Sequence, residues 1–192
     1  MAEVVVFHHV HGLTPGVAAF AQTLRDAGHD VRAPDLFEGR VFPTLDEGLD
    51  YVQSVGFAEI IARGVAAAEG VPVGAVYAGF SLGVLPAQYL VQTRQGARGA
   101  ILMHGCAPVQ EFGDRWPPDV PVQIHAMNAD RSFVEEGDLE AARDLLAQAG
   151  EGELFLYPGR EHLFADPTLP SYDEAAAESL QARVLEFLRL VG

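Results

Sequence analysis

Apolar residues fall in two alternating rhythms along the chain. Short, continuous runs rich in β-branched residues are followed by longer stretches in which apolar residues recur every three or four positions. The first is the pattern of strands covered on both faces, and the second that of helices packed along one side. Their alternation predicts a parallel sheet with crossover helices on both faces.

The runs predict six strands, at residues 4–7, 31–33, 73–78, 99–103, 120–126 and 153–157. A helix opens at Thr14-Pro15, keeps Val17, Phe20 and Leu24 on one side, and stops at Gly28. Residues 34–55 read as a polar loop with aromatics, and 56–69 as a helix carrying Phe57, Ile60, Ile61 and Val65. Further helices are predicted over 84–93 and 139–149. The terminal helix has Leu180, Val184, Phe187, Leu188 and Val191 on one stripe, with Ser171 and Glu174 spaced as a capping box. No repeat, linker or low-complexity tract interrupts the series, so residues 1–192 read as a single domain.

Composition narrows the function. At 192 residues the chain can bury a core large enough to need neither disulfide nor metal. A formal charge of −15 repels phosphate backbones and anionic membranes, so no nucleic acid and no membrane partner is expected. All twelve basic residues are arginine. Without lysine there is no P-loop, no pyridoxal Schiff base and no Ser–Lys dyad. The turn after the first strand lacks G-x-G-x-x-G, and Cys106 is the only cysteine, so no cofactor and no thiolate cluster is called for. The amino-terminal apolar run is too short for a signal peptide, and a cytoplasmic location is the default reading.

Ligands of such sheets bind beyond the carboxyl ends of the strands, and the chemistry-bearing residues cluster there. Gly79-Phe80-Ser81-Leu82-Gly83 fits G-x-S-x-G between a predicted strand and a predicted helix, the context of a nucleophile elbow. His162, five residues past the last strand, is the candidate base, and Asp130, after the strand at 120–126, the candidate carboxylate. The order Ser…Asp…His is that of α/β-hydrolases. Leu82 supplies an amide at the elbow that faces a developing oxyanion.

With these residues in place, the chain resembles the dienelactone hydrolase family of α/β-hydrolases nearly end to end. The matching stretches are residues 9–16, 33–39, the elbow, Asn128-Ala129-Asp130, and Tyr157-Pro158-Gly159 with His162-Leu163-Phe164. The resemblance implies an α/β-hydrolase fold, a nucleophile at Ser81, an acid at Asp130, a base at His162, and oxyanion donors at the amides of Val10 and Leu82. Three positions depart from the family pattern. Members that act on dienelactone carry cysteine where this chain has Ser81, a glutamate where it has His9, and an arginine where it has Asp166. The serine and the lost arginine point away from dienelactone itself.

The expected substrate is therefore a small ester, lactone or thioester. His9, His11, Phe37, Trp116 and Phe164 are the candidate lining of its pocket. The loop arginines Arg40, Arg115, Arg131 and Arg160 are candidates either for an anionic substrate or for surface ion pairs. His9 and His11 also have the spacing of a metal pair, which leaves metal-assisted hydrolysis as one alternative. An inactive binding or regulatory module of the same fold is the other. His104, His125 and Cys106 read as packing residues, and no pattern specifies an oligomeric state.

Overall fold

The computed structural model describes residues 1–192 and contains one six-stranded sheet, every neighbouring pair of which is parallel. The strands are β1 (Glu3–Phe7), β2 (Asp30–Arg32), β3 (Val76–Phe80), β4 (Gly99–Met103), β5 (Val122–Met127) and β6 (Gly152–Tyr157). Their spatial order is β2-β1-β3-β4-β5-β6. The chain therefore reverses direction of travel between β2 and β3, which opens a crevice above the carboxyl ends of β1 and β3.

Alternation along each strand divides the core in two. Val5 and Phe7 of β1 pack with Tyr77 and Leu102 beneath α2 (Leu45–Val55), α3 (Phe57–Ala67), α4 (Val84–Thr93) and α6 (Asp138–Leu146). Val4 and Val6 turn to the other face, where α1 (Pro15–Asp26) brings Phe20 and Leu24 and α7 (Glu174–Val191) brings Leu180, Val184 and Leu188. Helices thus cover both faces, and the buried strands carry the continuous apolar runs that such burial demands.

Four details differ from the sequence reading. Residues 45–55 form α2 rather than loop, started by Thr44, whose side chain accepts from the Glu47 amide and donates to its carboxylate. Gly56, at φ 90°, is the break between α2 and α3 rather than the first residue of the helix predicted over 56–69, which runs from Phe57 to Ala67. The third strand begins at Val76, because Val73 is exposed beyond the sheet edge, and it runs on to Phe80. At α7 the cap is Asp173, accepting from Ala176, while Ser171 donates to Leu163 O instead.

Candidate active site

Strand β3 delivers the chain into a turn that only small neighbours permit. Ser81 stands at φ 47°, a left-handed conformation that costs a non-glycine residue of order 1–3 kcal/mol. A β-carbon on Gly79 would lie 2.1 Å from Gly83 O, and one on Gly83 would lie 2.4 Å from Phe7 O. Glycine at both positions is thus a matter of space: the elbow is pressed onto itself and onto the end of β1. Residues 81–83 form a single 3₁₀ turn that feeds directly into α4.

The loops after β5 and β6 are tied together beside that turn. The Asn128 amide donates to Tyr157 O, the Ala129 amide to Gly159 O, and the Gly159 amide back to Asn128 Oδ1. Asp130, buried at the start of the short helix α5 (Arg131–Glu135), uses one oxygen as its cap, accepting from the Ser132 amide at 3.1 Å. Its other oxygen accepts from His162 Nδ1 at 2.7 Å. That bond places the imidazole proton on Nδ1 and leaves Nε2 as an acceptor, 2.9 Å from Ser81 Oγ. Side chains from three strand ends, far apart in sequence, thus form one hydrogen-bonded line along which a serine proton can move.

That line opens into a cavity of about 250 Å³. Val10 and Leu82, the two residues whose amides the family resemblance nominates as oxyanion donors, both line it together with Ser81 and His162. No carbonyl or side chain of the protein accepts from the Val10 amide, so that donor is free. The remaining wall differs from the one read in the sequence. Leu45 and Leu49 of α2 and Phe57 at the start of α3 form its apolar side. The helical spacing of Leu45, Leu49 and Val52 behind Thr44 and Glu47 was the signal for that helix, obscured by the acidic residues between them. Cys106, Glu136 and Asp138 contribute a second side that the sequence reading did not assign.

None of His9, His11, Phe37, Trp116 or Phe164 lines this cavity. Phe37 is buried against Tyr51 and the His8 ring, with centroids 4.9 and 4.7 Å away. Trp116 is buried beneath the 109–120 loop, donating from Nε1 to Val120 O at 2.9 Å. Phe164 packs edge-on to His104 at 4.6 Å on the α1/α7 face of the sheet. All three sit in loops past strands, and the loops fold inward because burying such rings outweighs exposing them at a rim. The arginines Arg40, Arg115, Arg131 and Arg160 are exposed and lie outside the cavity; Arg131 pairs with Glu135 at 3.1 Å.

The amino-terminal histidines serve the backbone instead. His9 Nε2 donates to Asp166 Oδ2 at 2.8 Å, and its Nδ1 accepts from the His11 amide at 3.3 Å. His8 donates to His9 O and accepts from the Leu36 amide, and His11 Nδ1 donates to Phe42 O. Burial lowers the pKa of His8 to about 4 and that of His9 below the usual value, against the pull of Asp166. Asp166 is opposed by burial, yet bonds from His9, Thr14 and Thr168 hold it well below the usual carboxylate range. Two positions that depart from the family pattern, His9 and Asp166, therefore meet each other. They fix the loop that carries the free Val10 amide.

His104 also borders the cavity, at φ 62° and fully buried, with neither ring nitrogen hydrogen-bonded to the protein. Burial holds it neutral, and neighbouring His162 and His9 push in the same direction. The Cys106 thiol is pushed up by burial and by Asp138, which leaves it a packing group rather than a second nucleophile.

Comparison with known proteins agrees with this architecture. The structure superposes on a dienelactone hydrolase-like promiscuous phosphotriesterase from metagenomic libraries with a TM-score of 0.78 at 19% identity, covering 100% of this chain and 87% of that one. It superposes on dienelactone hydrolase from Anabaena variabilis with a TM-score of 0.71 at 17% identity, over 100% and 87%. A propionate-bound thermophilic esterase from Thermogutta terrifontis gives 0.69 at 18%, over 100% and 84%. No curated protein matches the chain by sequence. At such identities the likeness shows the α/β-hydrolase fold. The dienelactone hydrolase family model, however, matches residues 1–192 without a gap at either end, and the chain belongs to the dienelactone hydrolase family.

Proposed function

We propose that this protein is a serine hydrolase that cleaves small esters, lactones or thioesters through an acyl-enzyme. Family membership supports hydrolysis. The observation that carries the finer reading is the line Ser81 Oγ, His162 Nε2, His162 Nδ1, Asp130 Oδ2, with gaps of 2.9 and 2.7 Å, at the floor of a cavity bordered by a free amide.

In the reaction Ser81 Oγ attacks the carbonyl carbon while its proton passes to His162 Nε2. Asp130 holds the resulting imidazolium in place without taking its proton. The carbonyl oxygen, now an anion, rests on the amides of Val10 and Leu82, each worth about 3 kcal/mol of barrier. His162 returns the proton to the departing alcohol or thiol, whose bond to the acyl carbon breaks. Water then attacks the acyl carbon as its proton passes to His162, and the acid leaves when its bond to Ser81 Oγ breaks and His162 returns that proton to Oγ. None of these steps requires a cofactor.

The test is p-nitrophenyl acetate turnover by the wild type and by Ser81→Ala, both shown folded by circular dichroism, with fluorophosphonate labelling of each. The expected result is labelling at Ser81 and loss of about 10³-fold or more in kcat in the variant. Equal rates, or a wild type that neither turns over nor labels, would leave the fold serving as a binding module.

A further inference from the structure

The cavity has a charge character that the triad does not need. Sixteen residues border it; among them the only acidic or guanidinium side chains are Glu136 and Asp138, both acidic. The place where the family pattern carries arginine holds Asp166, whose oxygens are taken by His9, Thr14 and Thr168. No guanidinium is available there to meet a substrate carboxylate.

Asp138 stands close to the reacting centre. Its Oδ2 and the Ser81 Cα lie 3.3 and 3.5 Å from one point, the place a β-carbon on Gly105 would occupy. Asp138 Oδ2 therefore lies within about 7 Å of the Ser81 backbone, on the wall of the same cavity. Asp138 Oδ2 accepts from the Cys106 amide at 2.9 Å, and Oδ1 makes no hydrogen bond to the protein. Burial raises the pKa of this carboxyl, an effect the Cys106 amide and the nearby His162 oppose, and no arginine borders the cavity as a counter-charge. In the same cavity, Leu45, Leu49 and the half-exposed ring of Phe57 offer methyl and aromatic surface, which suits the alkyl shell of an ammonium group. A protein field of formal charge −15 brings cations to this cavity and holds anions away.

We infer that the site, on the hydrolase reading above, is selective by charge: it takes esters whose alcohol or acyl part bears an ammonium group near Asp138, and it disfavours those bearing a carboxylate. Glu136 at the mouth and Asp138 deeper in form the electrostatic half of the pocket, and α2 with Phe57 the apolar half.

Three acetate esters separate charge from shape: acetylcholine, its uncharged isostere 3,3-dimethylbutyl acetate, and the anionic acetoxyacetate. The expected order of kcat/KM is cation over isostere by about tenfold and isostere over anion by a similar factor, the size of a partly desolvated ion pair. In Asp138→Asn, which can still accept from the Cys106 amide, and separately in Glu136→Gln, the cation-to-isostere ratio falls at least threefold, and added salt lowers it in the wild type. An isostere turned over as well as acetylcholine, or a ratio that survives both substitutions, overturns the inference while leaving the hydrolase reading intact. Should none of the esters be hydrolysed, that reading fails by itself. Calorimetric titration of the same three compounds into the wild type then decides the charge preference, equal affinities overturning it.

Discussion

Lowering the pH from about 7 to about 5 should cost this protein stability through its histidines. His8 and His125 are buried and neutral, with burial lowering their pKa values from 6.5 to about 4 and about 3; Arg183 adds to the effect at His125. His9 and His104 are shifted the same way. The unfolded chain takes up these protons as the pH falls through 6.5, whereas the folded chain refuses them until near 4 or below. Folding stability is therefore full above 6.5 and is lost across the window below it. At pH 5, about 1.5 units below the unfolded value, each refused proton costs about 2 kcal/mol, so His8 and His125 together remove about 4 kcal/mol. That is a large part of the 5–15 kcal/mol typical of a domain.

Other groups do not cancel this loss. Asp166, held low, contributes stability that disappears only below the ordinary carboxylate range, outside the window. Asp138, raised by burial, works with the opposite sign and regains a little stability as it protonates. Urea unfolding at pH 7, 6 and 5, followed by circular dichroism, measures the sum. His125→Asn removes one titrating group, and its stability should fall with pH by about 2 kcal/mol less than that of the wild type over the same range. A wild-type stability that stays level or rises between pH 7 and 5 would refute the reasoning, and so would a variant with an unchanged slope.

Asp130→Asn should leave the fold intact, since its amide oxygen still caps α5, but lower p-nitrophenyl acetate kcat by about 10⁴-fold through the wrong imidazole tautomer; a loss below tenfold would separate Asp130 from the chemistry. His9→Asn keeps an acceptor for the His11 amide and loses the Asp166 bond, so kcat should fall about tenfold with KM little changed as the Val10 amide loses its fixed position; a change confined to KM would put His9 in substrate contact. Trp116→Ala should cost about 3–5 kcal/mol in urea unfolding and leave kcat per folded molecule unaltered, because the ring fills core and not cavity. Gly83→Ala drives a methyl against Phe7 O and His8 O and should cost 1–3 kcal/mol or about that, together with most of the activity, read by thermal melting and ester turnover.

What the sequence made legible was whatever follows from local pattern. The central strands β1, β3 and β4 stood out because each is covered on both faces and so is apolar almost without interruption, as in Ala100-Ile101-Leu102-Met103. Helix α2 did not, because its apolar positions Leu45, Leu49 and Val52 are separated by Asp46, Glu47 and Asp50, a narrow stripe that Leu45 and Leu49 share with the cavity while Val52 enters the core. The elbow was legible because steric crowding limits the residues on either side of Ser81 to glycine, and His162 and Asp130 because loops past parallel strands share one edge. The pocket wall was not legible, because an aromatic ring in a loop carries no mark of which way the loop turns. Phe37, Trp116 and Phe164 turned inward, where each buries its whole surface, while Phe57 on a helix start stayed at the rim.

His9 and Asp166 show a different limit, set by pairing across 157 residues. Read singly, each is a loss relative to the family pattern: a glutamate gone at one position, an arginine at the other. Together they are an acid and a base exchanged in order, so that a carboxylate now sits where the cation was and an imidazole where the carboxylate was, 2.8 Å apart. The pair places a charge-assisted bond across the base of the oxyanion loop and leaves no guanidinium at that place to reach substrate. A buried Asp166 without His9 would lack one of its donors, and His9 without Asp166 would leave a ring nitrogen unpaired in a dry site, so each substitution alone carries a cost that the pair removes. The same coupled change that keeps the loop rigid therefore alters which charges the pocket offers. With arginine withdrawn, the acidic side chains at Glu136 and Asp138 are left to set its sign.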